Sequence, residues 1–256
     1  MIRRVGKPSA MVAALAVAAL AVAGLVPSSS VASTRERCPL PVFGPGSAYH
    51  PKIVPGHFSP RVTNPWFPLK AGSTLVYTGV KDEQRALNIV TATSRTRRVD
   101  GVKTRVVEDR LYLDNVLRER TSDYYAQDRC GNVWYFGEDT AELDEHGHRV
   151  STEGTFHAGV DGAQPGVVMQ ARPEVGRVFR QEWYPGHAED RFWVLSRDAS
   201  IRVPYGSFRH ALRTAEATDL EPDVLDNKYY ARGIGQVAEL SGRGPAESLR
   251  LVEIIS

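Results

Sequence analysis

From Gly72 to the C-terminus, short runs rich in β-branched and aromatic residues recur between turn residues, the pattern of strands joined by tight connections. The predicted strands are Thr74 to Val80, Ala86 to Thr96, Val102 to Leu113, Val116 to Ala126 and Val133 to Phe136, then Arg177 to Tyr184, Arg191 to Ser196, Ser200 to Val203, His210 to Glu216, Lys228 to Ala231, Gly235 to Leu240 and Ser248 to Ile254. Asp100-Gly101 and Asp114-Asn115 stand between such runs as two-residue hairpin turns. About a dozen strands with short loops predict a mainly β fold, an antiparallel meander curled into a barrel or half-barrel. Alternation is partial. Leu75 to Tyr77 and Leu87 to Ile89 trade apolar for polar residues, as in a sheet with one wet face. Val133-Trp-Tyr-Phe136 and Phe192-Trp-Val-Leu195 are apolar on both faces and call for a covering layer.

No long amphipathic helix is available to cover them. The candidates are an irregular stretch from Glu138 to Arg172 and a proline-rich arm, residues 33–71, which carries half of the chain's 16 prolines. Proline at that density forbids helix and interior strand, so the arm is expected to lie extended over the β domain, residues 72–256. Its stretch Asn64-Pro-Trp-Phe-Pro-Leu69 holds large apolar groups, each worth about 2 kcal/mol when buried, and is expected to be ordered.

Residues 1–32 have the organisation of a secretory signal: Arg3, Arg4 and Lys7, an apolar run from Ala10 to Val26, and the small-x-small site Ser30-Val31-Ala32. An uncleaved anchor is the alternative reading, the run being at the short edge of a membrane span; after cleavage no stable span is expected. Three of the 32 basic residues lie in this segment, so the remainder has 29 against 30 acidic ones. The slight basicity of the whole chain thus belongs to the signal, and no electrostatic footprint for nucleic acid remains. A secreted or extracytoplasmic location makes a disulfide the first reading for Cys38 and Cys130, the only two cysteines. No second cysteine or histidine stands at zinc-ligand spacing from either, and no metal site is assigned.

None of the common nucleophile-elbow, phosphate-loop, dinucleotide, metalloprotease-helix or EF-hand patterns is present. Three clusters remain as candidate chemistry. In Tyr125 to Thr140 a hairpin turning at Asp128 to Asn132 leads to a strand bearing Trp134 and Phe136 and ending in Glu138 and Asp139; paired carboxylates beside aromatics can bind a polar ligand or a cation, or end a core strand in water. In Gln181 to Asp190 a Pro-Gly turn follows Glu182, Trp183 and Tyr184 and precedes His187, Glu189 and Asp190. A histidine with neighbouring carboxylates can serve acid-base chemistry or a metal, although a charged hairpin tip is the commoner reading of such a turn. Glu145-His146-Gly-His148 is read as solvated loop.

The stretches Asn64-Pro-Trp-Phe-Pro-Leu69, Tyr125-Ala-Gln-Asp128, Gly131-Asn-Val-Trp-Tyr-Phe-Gly-Glu-Asp-Thr140 and Gly159-Val-Asp-Gly-Ala163 together resemble a family of secreted bacterial β-rich proteins that carries no assigned activity. Val203-Pro-Tyr-Gly-Ser-Phe208 and Tyr229-Tyr-Ala-Arg-Gly-Ile-Gly235 are more weakly similar to envelope half-barrels that carry lipids or lipoproteins. The resemblance and the strand pattern favour a protein that binds a small or amphiphilic ligand in the mouth of a half-barrel. Trp134, Phe136, Trp183 and Tyr184 would be the walls, and Glu138, Asp139, Glu182 and His187 the orienting groups. An extracytoplasmic enzyme using His187 with Glu189 or Asp190 is the alternative, with or without a metal, and a cell-surface interaction protein is the third. The sequence specifies neither a cofactor nor an oligomeric state.

Overall fold

The computed structural model describes residues 38–256, so the signal segment lies outside the described residues. Turn chemistry organises the first half of the domain. Asp82-Glu83, Asp100-Gly101 and Asp114-Asn115 all have positive φ at both positions, the geometry whose twist matches the flanking strands of a two-residue hairpin. These turns join β2 (Thr74–Lys81), β3 (Gln84–Val99), β4 (Val102–Leu113) and β5 (Val116–Asp128) into a continuous meander. Before them stands the short β1 (Phe58–Ser59); after them comes β6 (Val133–Leu143).

About half of the stretch expected to be irregular, Glu138 to Arg172, is strand. It completes β6 and adds β7 (Arg149–Ser151), β8 (Phe156–His157) and β9 (Gln164–Met169). Its acidic residues hide this, because beyond Gly137 β6 carries Glu138, Asp139, Thr140 and Glu142, and only Ala141 and Leu143 continue its apolar pattern. The meander resumes through β10 (Val178–Arg180), β11 (Glu182–Trp183), β12 (Arg191–Val203), β13 (Gly206–Ala217), β14 (Leu225–Ala231), β15 (Gly235–Arg243) and β16 (Glu247–Ile255). The two strands predicted within residues 191–203 are one, β12, interrupted by register shifts at Ser196 and Ala199.

All pairings among these strands are antiparallel, and β16 returns to pair with β2. The wall runs in the order β10, β12, β13, β14, β15, β16, β2, β3, β4, β5, β6, β9, β11. Its two ends, β10 and β11, are separated in sequence by Gln181 alone. One extended segment, Val178 to Trp183, thus pairs with β12 on one side and β9 on the other and brings the sheet nearly to closure as a barrel. Gly166 makes this seam sterically feasible: a Cβ there would stand 2.3 Å from the Arg180 carbonyl oxygen.

Side chains alternate between the lumen and the outer face. At one end the lumen is filled by an apolar layer including Leu111, Leu113, Val203, Leu249 and Leu251. Another layer, around Val133, Met169, Val194 and Leu212, takes in Trp66, Phe67 and Leu69 from the arm. On the outer face of β4, β5 and β6, Val106, Tyr124, Trp134 and Phe136 are covered by Leu40, Ile53 and Phe58, so the arm supplies the covering layer that the doubly apolar strand required. Phe58 meets Trp134 and Phe136 edge-on, with centroids 5.8 and 5.2 Å away.

The arm is tied down at both ends. Cys38 is disulfide-bonded to Cys130. Asn64, buried, donates to the carbonyls of Gly131 and Gln170 and accepts from the Trp66 amide. The hairpin that carries Cys130 is itself clamped by buried Asp128, which accepts from the amides of Cys130 and Asn132, the Asn132 side chain and the Trp134 indole. The described residues contain no helix long and apolar enough to cross a membrane.

Candidate functional site in the barrel lumen

Between the two apolar layers lies a cavity of about 310 Å³. On β4, residues 107, 109, 111 and 113 share the lumen face, and Asp109 is the one charge in a row otherwise made of Val107, Leu111 and Leu113. On β3 the same position in phase is Asn88, between Ala86 and Val90. The Asn88 side chain hydrogen-bonds Asp109. Tyr77, Tyr125, Tyr135, Tyr230 and Phe67 are the aromatic walls, with Tyr125 and Tyr135 stacked at 4.8 Å.

Two β-bulges add carboxylates that simple alternation would turn outward. Asp123 pairs with Glu138 and Tyr125 with Tyr135, so β6 carries one extra residue over this interval, next to Gly137. Tyr135 and Glu138 both reach the lumen, three positions apart. At Gly137 a Cβ would lie 2.4 Å from the Phe156 carbonyl oxygen, and only glycine fits. β15 repeats the device: Tyr230 pairs with Gln236 and Tyr229 with Ala238, which places Gln236 and Glu239 together on the lumen face.

Glu182 from the seam, Asp190 at the head of β12 and Glu216 on β13 complete seven lumen carboxylates against one cation, Lys228. Lys228 lies 2.5 Å from Glu216 and 3.6 Å from Glu239. Its own burial works against its charge, but these two neighbours hold its ammonium well above the usual range. The other five carboxylates have no ion-pair partner among the described residues. Asp123 accepts from the Tyr135 hydroxyl at 2.6 Å, Glu138 from Thr140 at 2.6 Å, and Glu182 from the Asp190 amide at 3.3 Å.

The electrostatic consequence is uniform in sign. Burial, reinforced by Asp123, raises Asp109 to about 7. Asp123 rises to about 6 through burial, against the opposing Tyr135 hydrogen bond, and Glu216 rises to about 6 through burial against the opposing pull of Lys228. Glu138 and Glu182 are pushed well above the carboxylate range by burial and then by their acidic neighbours. Around neutral pH the lumen therefore holds protons that a cation can displace.

The residues expected from sequence fall into three places. Glu138, Glu182 and Asp190 meet in the lumen. Trp134 and Phe136 lie on the outer face under the arm, and Trp183 is also outward, packed on the Arg180 guanidinium (4.2 Å) and against Gly46 of the arm. Asp139, the residue after Glu138, points outward to Arg97, Tyr124 and His157. Partial burial raises its pKa, but the Tyr124 hydrogen bond and the Arg97 charge outweigh this and hold it below the usual range. His187 is exposed at the hairpin tip and stacks on Tyr184 at 4.4 Å. Tyr184 belongs to a small cluster with Tyr135 and Phe156, and Glu189 caps the tip by accepting from the Gly186 amide at 2.7 Å. The structure thus separates His187 and Glu189 from Asp190. His146 and His148 are exposed, their backbone amides held by Asp144.

Among the described residues, the one trio of potential metal-ligand atoms within 4.8 Å of one another is Cys38, Asp128 and Cys130, whose two sulfurs are joined. No three of the lumen carboxylates bring ligand atoms within that distance of one another.

No protein-family profile matches the chain. No curated protein matches it. Solved structures similar to it include a candidate exported protein with a YmcC-like fold from Bacteroides fragilis, at 10% identity and TM-score 0.43, covering 76% of this chain and 100% of that one. A candidate lipoprotein from Parabacteroides distasonis is similar at 9% identity and TM-score 0.40, covering 74% of this chain and 98% of that one. Likeness at this distance transfers no ligand and no activity.

Proposed function

We propose that the protein is an extracytoplasmic binding protein that holds a small molecule in the lumen of its barrel. The observation that carries this reading is the lumen itself: a cavity of about 310 Å³, between two apolar layers, walled by tyrosines and furnished with inward-facing polar groups. A barrel selected only to stand would fill this space with aliphatic side chains, because buried polar groups cost free energy unless something pairs with them. Aromatic walls with a few fixed polar groups are the usual composition of a small-molecule site. The disulfide and the expected export signal support the compartment.

The test is native mass spectrometry of protein purified from its own host, beside a Val107→Trp variant whose indole would occupy the lumen. Wild type is expected to carry an added mass that solvent extraction releases and that the variant, folded by circular dichroism, lacks. Recovery of no bound molecule from either protein would refute the reading.

A further inference from the structure

The arrangement of charge in the lumen specifies its occupant more closely. Resting on the binding reading above, we propose that the ligand is an aliphatic diamine or polyamine, with its ammonium groups held along the lumen wall by Asp109, Asp123, Glu138, Glu182 and Asp190.

Three observations converge on this class. First, the five carboxylates lie on the adjacent strands β4, β5 and β6 and, on the far side of β9, on β11 and the head of β12, while the ion pairs of Lys228 are with Glu216 of β13 and Glu239 of β15. The unpaired charge therefore lies in an arc, and like charges stand directly opposite at Asp123 and Glu138. Such a pair is unfavourable until a cation lies between the two. Second, two lumen side chains have open hydrogen-bonding positions despite deep burial. Gln181 is 8% exposed and lines the cavity; its backbone amide donates to the Asp190 carbonyl, and its side-chain amide makes no hydrogen bond among the described residues. Glu182 is 6% exposed and receives the Asp190 amide on Oε1, leaving Oε2 without a donor. Polar atoms that a buried residue turns into a cavity without a protein partner call for an occupant that supplies one. Third, no three of the lumen carboxylates supply ligand atoms within 4.8 Å of one another, so a single metal ion cannot gather the arc, whereas ammonium groups on a flexible chain reach separated positions. The intervening wall, Leu75, Val90, Val107 and Val168, suits alkyl spacers, and the tyrosine faces suit ammonium.

Isothermal titration calorimetry of the disulfide-bonded protein at pH 7, in two buffers of different ionisation enthalpy, tests this with spermidine, putrescine, n-butylamine and calcium chloride. Spermidine is expected to bind at one site, at least about tenfold more tightly than butylamine because its second and third ammonium groups bind intramolecularly. Protons should be released as the carboxyls ionise. Glu182→Gln, which keeps the shape and removes the charge, should weaken spermidine about tenfold or more, and Val107→Trp should abolish binding. Butylamine or calcium binding as tightly as spermidine would overturn the assignment, as would spermidine binding that neither variant alters. A neutral or anionic molecule recovered from the lumen of the native protein, with no heat from amines, would overturn the polyamine and leave lumen binding standing. Recovery of no molecule and no heat would remove both.

Discussion

Asp123 and Glu138 face each other across β5 and β6 in a lumen whose nearest cation is committed elsewhere, and the cost of that placement is readable as a pH dependence. In the unfolded chain Asp109, Asp123 and Glu216 titrate near 3.8 to 4.5; in the folded protein burial raises them to about 7, 6 and 6. The native state therefore binds more protons than the unfolded state between about pH 4 and pH 7, and stability from these groups is present below that window and lost as pH rises through it. Urea unfolding is expected to show the ligand-free protein less stable at pH 8 than at pH 5, by on the order of 2–4 kcal/mol once solvent in the lumen is allowed for. Glu182→Gln should narrow the gap by raising stability at pH 8. At this scale the sequence is partly legible. Glu138, Glu182 and Asp190 stand out beside aromatics. Asp109 is also legible, as the lone charge in the apolar phase of Val107, Leu111 and Leu113. Which of Glu138 and Asp139 turns inward is not, because a bulge decides it, and the bulge depends on how Gly137 meets β8.

Strand existence and hairpin turns follow from local chemistry: Val102–Leu113 ends as predicted at both limits, and Asp100-Gly101 and Asp114-Asn115 turn where positive φ is tolerated. What local chemistry does not carry is the pairing of distant segments. β9 and the split strand β10–β11 read as loop or as one run, since their lengths are set by the partners they meet, β6, β12 and each other. Gly166 is the residue on which the approach of β9 to the seam depends. Alanine there would place its Cβ 2.3 Å from the Arg180 carbonyl and 2.4 Å from the Gln181 carbonyl, backbone atoms that cannot turn aside. Gly166→Ala is expected to destabilise by about 3 kcal/mol. Gly56→Ala, at a glycine with open space around it, should change stability by less than about 0.5 kcal/mol. Paired chemical-denaturation curves check the contrast.

Over the whole molecule, the arm makes one unit of what the strands alone would leave unfinished. Its first part covers the outer face at Trp134 and Phe136, and its second inserts Phe67, Pro68 and Leu69 at the lumen. The Cys38–Cys130 bond spans 92 residues, and cross-linking so long a loop removes enough unfolded-state freedom to stabilise by about 4 kcal/mol. The double serine variant should therefore melt well below wild type, and wild type with reductant should approach it; identical melting curves would show the arm held by packing alone. Proline density and export made this layout legible in outline, while the face each half of the arm would take depends on the closed wall.

That wall is unevenly built. Segment 178–183 is held by three residue pairs to β12 and two to β9, against eleven between β3 and β4. Local opening should occur where pairing is thinnest, so in deuterium exchange the amides of residues 178–183 are expected to label well before those of β3 and β4. Glu182 rides on this segment. A guest that enters sideways through a transient gap in the wall must then also loosen the arm, which packs on Arg180 and Trp183 at Gly44 and Gly46, and once seated on Glu182 it would slow the labelling of the seam that admitted it.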